Sequence, residues 1–217
     1  MRLLTRLLVS VSILLPIACS AAAPASNYKE GTEFKQVRQV QAPADAKRIT
    51  VEEFFWYGCP HCYHLDSFVD AWRPTKPGDV DFTRIPNSLG RDEGIIHSKT
   101  FYTAEALGLF DKIHKPFFMA IHEQHQQLFT QASIQSFFTG TTGVLPDAFN
   151  NTFNGFAVGM KVNRAEALAK SYGVASVPII VVGGKYYTNV AMSGGPDQTF
   201  KVVNFLIAKV RAERKGK

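Results

Sequence analysis

Val51-Glu52-Glu53-Phe54-Phe55-Trp56-Tyr57-Gly58-Cys59-Pro60-His61-Cys62-Tyr63 is the stretch that decides the fold. Its first half is an apolar, aromatic run, and Ile49 to Trp56 is predicted as a buried strand. Beyond it Leu65, Phe68, Val69 and Trp72 recur at i, i+3, i+4 and i+7, the apolar face of a helix. Two thiols three positions apart therefore sit at a strand-to-helix junction, where they can close a small disulfide ring and reopen it. A helix N-terminus favours negative charge, and a thiolate is such a charge. Pro60 suits a first helical turn, where its missing N–H goes unused. Thiol–disulfide chemistry is the first reading of these residues.

Working outward, Pro74 stops the helix and Pro77-Gly78 marks a turn. Val80, Phe82 and Arg84 alternate with Asp81 and Thr83, which predicts a second strand ending near Pro86. Upstream, Ala23 to Ala46 reads as a polar arm with one short strand near Lys35 to Val40. From Asn87 to about Gly159 strand signals vanish. One helix is expected around Phe101, Ala104 and Leu107-Gly108, and others over Pro116 to Leu128, Ser133 to Thr139 and Pro146 to Asn154. Helix resumes over Val162 to Tyr172. The β-branched run Val177-Pro178-Ile179-Ile180-Val181-Val182 and Lys185-Tyr186-Tyr187 flank Gly183-Gly184, the pattern of a hairpin. Thr199 to Val210 closes the chain as an amphipathic helix. A strand–helix–strand unit, a hairpin and a last helix imply an α/β mixed sheet covered by helices.

The chain has 217 residues and a hydrophobic fraction of 46%, enough for a sizeable core. Met1 to Arg6 is a positive n-region, Leu7 to Ile17 is apolar but too short to span a bilayer, and small residues follow. Residues 1–22 are read as a signal peptide, cleaved after Ala21 or Ala22. The alternative is a lipoprotein-type signal ending at 18, in which Pro16-Ile17-Ala18-Cys19 leaves the protein lipid-anchored through Cys19. Either way the working chain is exported, and no later apolar run of 18 residues appears. The formal net charge of +6 falls to +4 once Arg2 and Arg6 leave with the leader, a mild bias that carries no nucleic-acid signature. The basic stretch Lys209 to Lys217 reads as a solvated helix end. Without Cys19, only Cys59 and Cys62 remain, too few for a disulfide-stapled protein.

These residues resemble the thioredoxin fold, and within it the DsbA family of periplasmic disulfide oxidants. The resemblance rests on Glu53-Phe54-Phe55 before Cys59-Pro60-His61-Cys62-Tyr63, on Val177-Pro178 far downstream, and on the helical block between them. It implies a thioredoxin-like domain formed by 23–86 and 160–217, with 87–159 as an inserted helical domain. It implies that Val177-Pro178 is a cis-proline loop facing the disulfide and offering backbone groups to an extended substrate. Glu53, an acid in an apolar strand, reads as a proton relay for Cys62 or as an ordinary solvated strand residue; the resemblance implies that it is the buried acid beneath the disulfide. Asp66 and Arg84 align with charged helper positions of the family, although surface charges are the stronger expectation for both. A DsbB-like quinone-linked membrane partner would reoxidise the reduced pair.

The chemistry expected of the residues themselves is simple. Cys59 is the exposed thiol at the helix start, with a pKa below the free value of about 8.5. His61 adds a donor or a positive charge beside it, and Cys62, one turn inside, is the resolving thiol. A stabilised thiolate favours giving the disulfide away. The expected activity is donation of the Cys59–Cys62 disulfide to newly exported proteins, by a periplasmic monomer needing no cofactor or metal. A disulfide reductase or isomerase, and a chaperone-like binding protein acting through the helical block, are the alternatives. A static disulfide closes too small a loop to stabilise much. A zinc site from Cys59, Cys62, His61 and His64 is disfavoured because His61 and Cys62 splay apart on a helix. His122 and His125 flank Glu123-Gln124, one residue short of a His-Glu-x-x-His metalloprotease pattern, and read as a solvated helical face.

Overall fold

Strand β2, Ile49–Phe55, alternates as its sequence demands. Ile49 and Val51 are buried toward one side of the sheet, and Phe54 toward the other. It has a strand partner on each side in the computed structural model, which describes residues 28–216. Parallel to it runs β3, Val80–Pro86, and the crossover between them is α1, Pro60–Trp72. On the other side β4, Ile179–Val182, pairs antiparallel with β2. Then come β5, Tyr186–Thr188, and the two-residue β1, Lys35–Gln36, giving the order β1-β5-β4-β2-β3. The β4–β5 turn places Gly183 and Gly184 at φ of 62° and 64°, a left-handed conformation that glycine adopts without steric cost. The strand expected from Lys185 begins one residue later, at Tyr186.

Between β3 and β4 the chain is helical. It forms α2, Asp92–Ala106; α3, Phe110–His122; α4, Gln131–Thr142; α5, Pro146–Phe153; and α6, Phe156–Tyr172. After β5 come a single turn, α7, Val190–Ser193, which the sequence reading did not anticipate, and α8, Pro196–Lys215. The second helix of the block differs most from expectation. Pro116 lies inside α3 instead of opening it. The helix continues through the proline because Ile113, His114, Phe117 and Phe118 form one buried face, and that burial outweighs one lost backbone hydrogen bond. Helix α6 likewise starts at Phe156 and runs unbroken to Tyr172, so it begins six residues before the expected Val162.

Two apolar clusters sandwich the sheet. One joins Ile49, Val51, Ile180 and Val182 to Leu65, Val69 and Trp72 of α1 and to Val203 and Leu206 of α8. The other joins Phe54, Ile179 and Val181 to Ala169 and Tyr172 of α6, and extends through Phe55, Phe101, Phe117 and Phe118 into the helical block. Helices α1 and α8 thus cover one face, and α6 with the block covers the other. The basic stretch in α8 is partly committed to ion pairs: Lys209 with Glu213 at 3.0 Å and Arg211 with Asp79 at 2.8 Å. The leader and Cys19 lie outside the described residues. Among those described, no helix is long and apolar enough to cross a membrane.

Candidate active site

The loop from Trp56 to Cys59 delivers the thiols to the end of the sheet. Gly58 allows this turn, since a Cβ there would sit 2.4 Å from the Trp56 ring. Cys59 caps α1 with φ −95° and ψ 115°, and Pro60 occupies the first turn. Both cysteines are free thiols. Cys59 is 8% exposed and Cys62 1%, so Cys59 is the more accessible but is not the open thiol that the sequence suggested. The Val177 loop covers it: the Cys59 thiol points at the Val177 carbonyl, 3.5 Å away. The Val177-Pro178 peptide bond is cis, with Val177 half-buried and Pro178 buried ahead of β4. Pro60 and His61 are exposed at the mouth.

The two thiols are electrostatically unequal. Cys59 is lowered from 9.0 to about 6. The largest cause is a hydrogen bond from the Cys62 thiol; burial opposes it, and the backbone N–H groups of Cys62 and His61, then the charge of His61, assist. The helix start and His61 therefore act as expected, but the partner thiol comes first. Cys62 is pushed well above 9.0, chiefly by burial and then by Cys59. One sulfur is poised as a thiolate while the other holds its proton.

Beneath them lies a buried charged cluster. Glu53 is 2% exposed, Asp66 5% and Arg84 6%, which corrects the expectation that Asp66 and Arg84 are surface charges. Register explains this: Glu53 and Arg84 are direct partners on β2 and β3, and Asp66 sits on the inner face of α1. One Arg84 terminal nitrogen reaches Asp66 at 2.7 Å and the exposed Asp70 at 3.0 Å. Its Nε lies 3.2 Å from Glu53 Oε2, but neither of those two atoms has an aligned hydrogen-bond partner. Burial, foremost, raises Glu53 to about 7; Arg84 opposes the rise, and Asp66 and Asp70 add to it. For Asp66 burial works against ionisation, yet His114 and Arg84 hold its carboxyl below the ordinary value.

Helix α3 supplies groups that sequence reading missed. His114 Nε2 lies 3.0 Å from Asp66 Oδ1, and its Nδ1 lies 2.8 Å from the Tyr57 hydroxyl. Burial lowers its pKa despite Asp66. A neutral ring fits both contacts, with Nε2–H donating to Asp66 and Nδ1 accepting from Tyr57. The available signal was a histidine within the apolar run Ile113, Phe117, Phe118. His122 is not on a solvated face either. Its Nε2 donates to the Tyr57 carbonyl at 2.7 Å, and its ring stacks on Tyr63 at 5.1 Å and 10°. The next residue, Glu123, accepts a hydrogen bond from the Tyr63 hydroxyl. Consecutive residues at the end of α3 thus grip both flanks of the Cys-x-x-Cys loop. His125 lies past the helix in an exposed, irregular stretch.

A dithiol at a helix N-terminus, with unequal thiols and a cis-proline loop against the outer sulfur, defines a thiol–disulfide oxidoreductase of the thioredoxin class. Comparison with known proteins narrows this. Residues 50–205 match the family model described as the DSBA-like thioredoxin domain. The thiol:disulfide interchange protein DsbA of Pseudomonas aeruginosa is 37% identical over 196 residues, 89% of this chain and 91% of that protein. The protein of that name from Burkholderia cepacia is 38% identical over 214 residues, covering 98% and 99%. The crystal structure of Pseudomonas aeruginosa DsbA superposes with a TM-score of 0.81 at 36% identity, covering 88% of this chain and 98% of that one. The oxidoreductase DsbA of Xylella fastidiosa gives 0.76 at 30% identity, covering 84% and 97%. The chain belongs to the DsbA family, and its fold is thioredoxin-like.

Proposed function

We propose that this oxidoreductase works as a disulfide donor to proteins exported into the periplasm. What supports the direction is the placement of Cys59 at the N-terminus of α1 beside Cys62, where the Cys62 thiol and the backbone N–H groups of Cys62 and His61 favour its thiolate. A substrate thiolate attacks Cys59 Sγ of the Cys59–Cys62 disulfide. The S–S bond breaks, Cys62 leaves as thiolate, and a mixed disulfide joins Cys59 to the substrate. Glu53, titrating at about 7, gives its proton to the Cys62 thiolate, which is unstable in its buried place. A second substrate thiolate then attacks the substrate sulfur of the mixed disulfide. The substrate leaves oxidised, carrying its new disulfide, and Cys59 leaves as its stabilised thiolate. Two electrons have passed to the Cys59–Cys62 pair. A low-pKa leaving group speeds the last step and makes the reduced form the favoured one.

The remaining roles follow from position. Pro60 shapes the first turn without wasting an N–H, and exposed His61 favours the thiolate. Val177 and Pro178 form the ledge on which an extended substrate hydrogen-bonds through its backbone. The redox pair is itself the reacting group, so no cofactor or metal takes part. A DsbB-like quinone-linked membrane protein is the reoxidant, and the working form is a monomer released from, or anchored beyond, its leader. We also assign 87–159 as an inserted helical domain in a thioredoxin-like domain of 23–86 and 160–217. All five strands among the described residues lie outside the insert, which supports that division.

The test uses a reduced, unfolded substrate with two cysteines and a stoichiometric amount of the oxidised protein. Substrate thiols disappear as Cys59 and Cys62 thiols appear, and Cys59→Ser abolishes the reaction. Efficient rescue of a scrambled substrate by the reduced protein alone would instead establish an isomerase. Activity that survives Cys59→Ser would establish a chaperone-like binder.

A further inference from the structure

Arg84 is the only cation within ion-pairing distance of Glu53 among the described residues, and three carboxylates compete for it. Its terminal nitrogen forks onto Asp66 and Asp70 at 2.7 and 3.0 Å, whereas Nε faces Glu53 at 3.2 Å without alignment. The guanidinium carbon lies 5.6 Å from the ring of Phe82 on the same strand and 6.0 Å from the ring of Phe110 on α3. Asp66 is itself fixed by His114 from α3. Asp70 is different: its side chain is 46% exposed, with Arg73 at 3.6 Å on the solvent side. It is a surface carboxylate that reaches inward to hold one face of a buried cation.

We propose that Asp70 is a positioning residue that draws the Arg84 guanidinium away from Glu53 and thereby keeps Glu53 a protonated acid for Cys62. This rests on Glu53 acting as the proton donor to Cys62. A carboxylate without an aligned donor is costly in a buried site, so the proton stays on it. The charged groups bearing on Glu53 are Arg84 from β3 and Asp66 and Asp70 from α1. The neutral His114 from α3 acts on it only through Asp66. Removing the charge of Asp70 releases one arm of the fork, and Arg84 then serves Glu53. Glu53 ionises at lower pH and carries its proton less often at neutrality.

The test compares Asp70→Asn, Asp70→Glu, Glu53→Gln and the Asp70→Asn/Glu53→Gln double variant in the mature chain. Two readouts are taken: the pH profile of mixed-disulfide formation by the oxidised protein with excess reduced glutathione, and the Glu53 carboxyl titration by 13C NMR. In Asp70→Asn the Glu53 midpoint falls by about half a pH unit, and the rate at pH 7 falls about twofold in proportion to the protonated fraction. Asp70→Glu restores both, and the double variant matches Glu53→Gln. If Glu53→Gln leaves the pH profile unchanged, the proton-donor reading itself fails. If Glu53→Gln removes the inflection near pH 7 but Asp70→Asn leaves the Glu53 midpoint in place, that reading stands and the positioning role of Asp70 is overturned.

Discussion

Glu52 and Glu53 are neighbours on one strand, yet they live on opposite faces of the sheet. Glu53 is sealed under α1 among Arg84, Asp66 and Asp70. Glu52 faces α6, where the Tyr172 hydroxyl donates to it at 2.9 Å. It borders a cleft of about 650 Å³ with Thr50, Arg164, Leu168 and the Gly183-Gly184 turn. Burial raises the pKa of both carboxyls. The difference lies in what each raised acid can reach. Glu53 lies in the charged cluster on the α1 side and bears electrostatically on Cys62, which is what the proposed proton donation requires. The acid on the α6 face has a phenol and a cleft for neighbours. Pleat parity alone separates an acid set beside the redox pair from one set beside a phenol and a cleft.

The sharpest way to break this comparison is to strip each face of an arginine. Arg84→Ala leaves Asp66 charged and buried, a loss of about 3–5 kcal/mol. Arg164→Ala, in an exposed position lining the cleft, changes stability by about 0.5 kcal/mol at most. Urea denaturation of both variants checks this. Next come the acids themselves. Glu53→Gln slows mixed-disulfide formation at pH 7 by about tenfold or more, whereas Glu52→Gln stays within about twofold of the wild type; stopped-flow fluorescence with a reduced peptide distinguishes them.

Stability against pH sharpens the contrast further. Glu53 in the fold titrates at about 7 against an ordinary 4.5, so the fold favours its protonated form. That contribution is complete below pH 4.5 and is lost as pH rises through 7, a swing of about 3 kcal/mol. The melting temperature of the reduced wild type therefore carries a downward component between about pH 4.5 and 7 that Glu53→Gln lacks. A smaller swing than that of Glu53 belongs to the α6 face. Tyr172→Phe removes one hydrogen bond to a half-buried carboxyl, costs about 1 kcal/mol, and leaves oxidation of substrate unchanged.

Legibility in the sequence followed the range of the interactions. The β2–loop–α1 unit is written in consecutive residues: the apolar run, Gly58, Pro60 and the i, i+3, i+4, i+7 face. The hairpin is equally local, because Gly183-Gly184 between β-branched and aromatic residues needs no distant partner. The buried cluster is not local. Arg84 meets Asp66 across 18 residues and His114 meets Asp66 across 48, and charged residues read one at a time look solvated. His122 meets Tyr57 across 65 residues, and nothing in its immediate neighbours marks it as gripping the redox loop. At Pro116 the local signal for a helix start is overridden by aromatic burial, and the helix runs through it. Glu53 was visible as an acid in an apolar strand; the three carboxylates gathered around Arg84 were visible only in three dimensions.

The fold holds Cys59 as a thiolate while Cys62 keeps its proton. Titration of the reduced protein by thiolate absorbance, with Cys59→Ser as the blank, tests it most directly. The account predicts one thiol ionising at about 6 and no second ionisation up to pH 9. A single transition near 9, or two thiols titrating together, would contradict it.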